Sequence, residues 1–198
     1  ETFSMLRSND LIWSFVINNY LLGKEPFPFD LLYWNSDSTN LPRAVHTFYL
    51  REMYQHNRLS EPGGVTLDGT PIDLRKVDIP VYLQASKEDH ISPSRSVFKA
   101  TKLYSGPVRF MLAGSGHIAG VINPPDSGKY QHWTNDKNPD TFEEWFENAA
   151  EHPGSWWPDW HKWLSKKSGA KVAAREPGDQ KLEAIEDAPG SYVVMPGA

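Results

Sequence analysis

Between residues 79 and 113 the sequence leaves little choice of structure. Ile79-Pro80-Val81-Tyr82-Leu83-Gln84-Ala85 is a short apolar run of the kind that forms a buried strand. Val108-Arg109-Phe110-Met111-Leu112-Ala113 is a second such run. Between them Ser92 suits a helix N-cap, and Pro93 suits the first helical position, where its missing N–H costs nothing. Gly106-Pro107 ends that helix, which should stop near Leu103 or Tyr104. Strand, helix, strand at this spacing predicts two parallel strands joined by a right-handed crossover, and so an α/β fold.

In a parallel sheet, functional groups gather just beyond the carboxyl ends of the strands. Asp89 lies four residues past Ala85, and His117 four residues past Ala113. Both loops therefore leave the same edge of the sheet. An Asp followed by a His in that position matches the last two members of an α/β-hydrolase triad, in the chain order nucleophile, Asp, His. The His takes a proton from the nucleophile and later returns it, while the Asp holds the imidazole tautomer. Taken singly, Asp89 is equally readable as a loop carboxylate near a helix N-terminus, and His117 as a loop histidine among glycines. Their register at two neighbouring strand ends favours the pair.

The nucleophile is not here. The 198 residues include no Cys and no Gly-x-Ser-x-Gly elbow. Gly114-Ser115-Gly116 immediately precedes the His and does not sit at a strand-to-helix turn. The chain opens Glu1-Thr2-Phe3-Ser4-Met5 without an initiator Met, which suggests a piece of something longer with the nucleophile upstream.

Around this unit the sequence predicts helices and loops. Trp13, Val16, Ile17, Tyr20 and Leu21 fall at helical spacing after a Ser8 or Asn9 cap. A second helix is expected from about Pro42 to Arg58. Asp68-Gly69, between Val65-Thr66-Leu67 and Thr70-Pro71-Ile72, predicts a tight hairpin lying apart from the main sheet. A helix is expected around Phe142 to Ala150. Trp156 or Trp157, Trp160 and Trp163 recur at helical spacing and should pack against the sheet. From about Ser168 the Gly, Ala, Lys, Glu and Pro content predicts a loosely packed tail.

The formal net charge is -5 with signs mixed, so no basic stripe offers itself to nucleic acid or anionic lipid. No apolar run approaches the roughly 20 residues that cross a bilayer, and no signal peptide is visible. His152, His161 and Asp159 fit no common zinc spacing, so neither metal nor cofactor is expected. Without Cys there are no disulfides, which fits a cytoplasmic protein.

Several longer stretches carry a family resemblance. They are Pro28-Phe29-Asp30-Leu31-Leu32-Tyr33-Trp34-Asn35-Ser36-Asp37, Lys87-Glu88-Asp89-His90-Ile91, the run from Gly114 through His117 to Pro125, His132-Trp133-Thr134-Asn135-Asp136, and Gly154-Ser155-Trp156-Trp157-Pro158-Asp159-Trp160. Together they resemble the class I, short-chain polyhydroxyalkanoate synthases, in the same order and over nearly the whole chain.

The resemblance implies the C-terminal part of an α/β-hydrolase fold with part of an inserted cap subdomain. Residues 1–60 would be the late part of the cap, 61–167 the C-terminal part of the core and 168–198 a tail. It implies polymerisation of (R)-3-hydroxyacyl-CoA, of the 3-hydroxybutyryl type, into polyester with release of CoA. The growing chain would sit on an upstream Cys, with His117 as general base and Asp89 as the triad carboxylate. Trp34 matches the family's Trp near the active site and dimer region. His90, beside Asp89, is either a lining residue of the site or part of the loop's own structure. A homodimer, cytoplasmic and associated with polyester granules and their phasin-type proteins, is implied by family alone. An ordinary esterase or thioesterase using the same Asp and His is the enzymatic rival, and a non-catalytic binding module of the same fold is the other. The piece alone is expected to lack activity and not to fold stably, because only two strands of the core are foreseen.

Overall fold

The computed structural model describes residues 8–26, 40–176, 178 and 182–195. The chain divides into two compact units, one comprising Glu1–Pro42 with Glu176–Ala198, the other Arg43–Arg175. In the first unit the expected N-terminal helix is present, but Asn9–Trp13 and Val16–Leu21 wind more widely than an α-helix. The Leu22 N–H bonds the carbonyl of Ile17, five residues back. Trp13, Ile17, Tyr20 and Leu21 are exposed. A short turn of helix, Ser191–Val194, lies near the other end of this unit.

The second unit contains the sheet. It begins with helix α1, Arg43–Phe48, which continues as a wider coil through Tyr49–Gln55, matching the helix expected from Pro42. Strands β1 (Val65–Leu67) and β2 (Thr70–Ile72) form a two-stranded antiparallel hairpin of their own. Asp68 and Gly69 both have positive φ, 46° and 73°, as a two-residue hairpin turn requires.

Strand β3 (Val81–Ser86) and strand β4 (Val108–Ala113) run parallel, in register from Val81 opposite Val108 to Ser86 opposite Ala113. Helix α2 (Ser94–Phe98), extended by a tighter turn at Lys99–Lys102, connects them. It starts later than the sequence suggests. Pro93, not Ser92, is the residue before the first helical one, because the Asp89 carboxylate already holds the N–H groups of Ile91 and Ser92 in the preceding turn.

The sheet is larger than the two strands foreseen. Strand β5 (Gln131–Thr134) pairs antiparallel with β4, and β6 (Ala150–Pro153) pairs antiparallel with β5. Helix α3 (Phe142–Glu147) lies between them in the chain. Its Thr141 cap accepts the N–H of Glu144, and Glu143 and Glu144 in its first turn suit the positive end of the helix dipole. Helix α4 (Trp157–Ser165) follows.

Alternation along the strands divides the sheet into two faces. Leu83 and Ala85, Phe110 and Leu112, and Trp133 pack on one side with Val97 and Phe98 of α2 and Phe142, Trp145 and Phe146 of α3. Phe110 stands edge-on to Phe98 and Trp145, with ring centroids 5.1 and 4.7 Å away. Each such fully buried side chain contributes about 1.5–3 kcal/mol. Tyr82 and Arg109 belong to the opposite face, where the Trp-rich segment packs. Tyr82 stacks on Trp156 at 6.2 Å and meets Trp163 edge-on at 5.3 Å. The expected packing of this segment on the sheet is present, but no residue of α4 is fully buried. Its hold on the sheet is partly polar. Arg109 grips the Asp159 carboxylate with Nε at 3.0 Å and a terminal nitrogen at 2.7 Å, and the Tyr82 hydroxyl donates to the same carboxylate at 2.8 Å.

Candidate active site

The parallel pairing of β3 and β4 does not stop where the strands do. The Lys87 N–H donates to the carbonyl of Ala113 at 2.8 Å, and the Glu88 N–H to that of Ser115 at 3.0 Å. The two loops therefore leave the sheet side by side. Asp89 stands at the end of one and His117 at the end of the other. Ser115 adopts φ 73°, a left-handed conformation rare for a residue with a side chain, and this turns the chain just before His117.

The two side chains meet. His117 Nδ1 lies 2.8 Å from Asp89 Oδ2. The other carboxylate oxygen, Oδ1, accepts the N–H groups of Ile91 at 2.8 Å and Ser92 at 2.9 Å. The Asp89 side chain is 7% exposed and that of His117 44%. Burial pushes the Asp89 carboxyl up. The Ser92 N–H, the His117 ring and the Ile91 N–H together outweigh it, so the group lies below the usual carboxylate range. Asp89 is thus ionised at neutral pH and accepts only, so the proton on His117 resides on Nδ1. Nε2 then carries the lone pair, and it has no partner among the described residues. A covered carboxylate thus orients a half-exposed imidazole whose far nitrogen is able to accept a proton.

No family model matches the chain. Curated relatives do. The poly(3-hydroxyalkanoate) polymerase subunit PhaC of Rhizobium etli is 52% identical over 192 residues, which is 97% of this chain and 30% of that protein. The subunit of the same name from Cupriavidus necator is 51% identical over 194 residues, 98% of this chain and 33% of that protein. Over nearly its whole length this chain is similar to poly(3-hydroxyalkanoate) polymerases. Poly(3-hydroxyalkanoate) polymerase 2 of Ectopseudomonas oleovorans is a further relative, 44% identical over 193 residues, 97% of this chain and 34% of that protein. The chain spans about a third of the length of these curated relatives and corresponds to their C-terminal part.

The other residues singled out from sequence are less closely engaged. His90 is exposed beside Asp89. Trp34 and the loop around it lie outside the described residues. His152 bonds Thr134 at 2.9 Å and stacks on His132 at 5.1 Å, while Asp159 is taken by Arg109 and Tyr82. Among the described residues no group of three or more His, Cys, Asp or Glu side chains could hold a metal ion, and no helix is long and apolar enough to cross a membrane. An open cleft of about 570 Å³, lined by Thr134, Asp136, Glu144, Asn148 and His152 among others, does not include Asp89 or His117. At the strand ends, beside Asp89 and His117, Ile91, Ile118 and Ile122 expose apolar side chains in the same two loops.

Two features of the site escape sequence reasoning. Gly120 lies so close to the end of β3 that a Cβ there would come within 2.3 Å of Ser86 Oγ and 2.7 Å of the Gly116 carbonyl. The indole N–H groups of Trp156 and Trp157 reach the loop after His117, donating to the carbonyls of Gly120 and Val121, each at 3.0 Å. Helical spacing marks the tryptophans only as packing residues. No sequence signal pairs an indole with a carbonyl 36 residues away.

Proposed function

We propose that this chain is the C-terminal part of the catalytic domain of a polyhydroxyalkanoate synthase with an α/β-hydrolase core. It supplies the Asp and His of a Cys–His–Asp triad, and the Cys comes from a segment outside this sequence. The enzyme polymerises (R)-3-hydroxyacyl-CoA, of the 3-hydroxybutyryl type, into polyester and releases CoA. The observation that carries this reading is the 2.8 Å contact between His117 Nδ1 and Asp89 at two adjacent parallel-strand ends, with Nε2 free.

Nε2 of His117 takes the proton of the Cys thiol. The thiolate attacks the thioester carbonyl, the bond to CoA breaks, and the departing CoA sulfur receives the proton from His117. Exchange of one thioester for another is nearly thermoneutral, which suits repeated transfer. Ester growth needs the same base once more: it takes the proton of a hydroxyl as that oxygen attacks an acyl thioester, the C–S bond of the thioester breaks, and the released thiolate receives the proton. Asp89 acts through His117 rather than on the hydroxyl directly. One of its oxygens is occupied by two backbone N–H groups and the other by the imidazole, and its side chain is almost fully covered. Water must be kept from the acyl-enzyme, and the apolar Ile91, Ile118 and Ile122 beside the pair serve that exclusion.

In this reading residues 1–60 complete a cap, 61–167 the core and 168–198 a tail. Trp34 and His90 contact substrate, and the enzyme works as a homodimer on cytoplasmic polyester granules with their phasin-type proteins. The test is CoA release from (R)-3-hydroxybutyryl-CoA by the full-length protein that carries this chain, with and without His117→Ala. Release with insoluble polyester, both lost in the variant, supports the synthase. Release with only free hydroxy acid makes the protein a thioesterase, and absence of both from folded wild-type protein refutes the catalytic reading.

A further inference from the structure

His117 is fixed on one side only by Asp89. Its backbone sits in a loop with no strand or long helix to stiffen it, so something else must hold the ring where Nε2 can work. The loop is a single hydrogen-bonded turn. The Gly120 N–H donates to the Gly116 carbonyl at 2.9 Å, which brackets His117, and the N–H groups of Val121 and Ile122 donate to the Ile118 carbonyl at 3.0 and 2.8 Å. A displacement at residue 120 or 121 is therefore carried to residue 117.

This turn is gripped from two sides. Ser86, 1% exposed at the end of β3, forms the floor, and Gly120 rests on it too closely to admit a Cβ. On another side stand the two half-buried indoles, whose N–H groups hold the carbonyls of Gly120 and Val121. An indole N–H is a donor only, on a flat ring with few rotamers, so it specifies a carbonyl position without an alternative arrangement. The indoles are themselves anchored. Trp157 opens α4, Trp156 stacks on Tyr82, and Asp159 two residues on is tied to Arg109 and Tyr82. The chain of contacts runs from the sheet through the helix start to the histidine loop.

We propose that Trp156 and Trp157 are positioning residues for His117, setting the height of its Nε2 above the sheet edge. The proposal rests on His117 being the general base. A base must be held within about 0.5 Å of its working geometry, and a misplacement of about 1 Å costs on the order of 100-fold in rate. Packing alone does not require the donors, since phenylalanine fills most of the same space.

The test uses Trp156→Phe, Trp157→Phe and the double variant in the full-length protein that carries this chain, with His117→Ala beside them. Three quantities are read: kcat and KM for CoA release per folded enzyme, the thermal unfolding midpoint, and hydrogen exchange of the Gly120 and Val121 amides. The expected result for the double variant is a fall in kcat of about 10- to 100-fold with KM held within about twofold. Exchange at residues 120 and 121 should quicken while that of the β3 and β4 amides does not. Unchanged kcat, unchanged exchange, or a loss of rate that only follows a loss of folded protein overturns the proposal. If one substitution prevents folding, the other single variant carries the same comparison. Retained activity in His117→Ala would instead remove the reading beneath it, and the exchange data would still report whether the indoles hold the loop.

Discussion

Replacing Asp89 by Asn separates what the carboxylate does for the histidine from what it does for the fold. Asp89 Oδ1 accepts two backbone N–H groups, from Ile91 and Ser92. An Asn must keep its carbonyl oxygen there, because turning its NH2 group toward two N–H donors would set donor against donor. The NH2 group then faces His117 Nδ1, where the carboxylate stood at 2.8 Å. Nδ1 is forced to accept, and the ring proton moves to Nε2. The base is lost by tautomer, without displacement of any atom. The corresponding exchange in serine-protease triads lowers kcat about 10⁴-fold, or roughly 5.5 kcal/mol at 1.36 kcal/mol per decade. The effect on folding should be small, about 1–2 kcal/mol, since only the charge on three retained contacts is removed. Steady-state CoA release measured alongside urea unfolding in the full-length protein distinguishes the two. A variant within about tenfold of wild type, or one whose lost activity equals its lost folded fraction, would show that Asp89 does not set the tautomer.

Two further outcomes follow from the layers on either side of the sheet. Phe110→Ala should destabilise the protein by about 3–5 kcal/mol, because the ring is fully buried between Phe98 and Trp145 and the neighbours cannot collapse onto the space; a loss under about 1 kcal/mol in denaturant unfolding would contradict this core. Burial raises the Asp159 carboxyl, but its bonds from Arg109 and Tyr82 outweigh that and leave it below its ordinary value of 3.8, as Asp89 also is. The unfolded chain therefore takes up protons first as the pH falls, so this stability is present above about pH 4 and is lost as the pH drops through the folded values. Asp159→Asn should lower the neutral-pH unfolding midpoint and make the acid decline shallower. An acid decline as steep as that of wild type would be inconsistent with the pair.

The strand–helix–strand unit and the Asp89–His117 pairing were legible in the sequence because both depend on local signals. Apolar runs bounded by Pro and Gly mark strands, and two such runs joined by a helix can pair in only one common way. Once the strands are parallel, residues at equal distances past their ends become neighbours. Asp68-Gly69 announced its hairpin for a similar reason, since few dipeptides accept two positive φ angles.

What escaped detection depends on partners distant in the chain. Gln131-His132-Trp133-Thr134 and Ala150-Glu151-His152-Pro153 are four-residue segments with hardly an apolar pattern, and they become strands because β4 offers an edge and β5 then offers another. The sequence marked Trp156, Trp157, Trp160 and Trp163 as a helix face against the sheet, but not the destination of the indole N–H groups. It placed Gly120 in a loop without indicating that Ser86 would lie against it. Backbone propensity and periodicity act over a few residues, so sequence alone placed Asp89 and His117 together at one edge of the sheet. The position of the histidine ring arises from contacts between segments some 30 residues apart, and those exist only once the layers have packed.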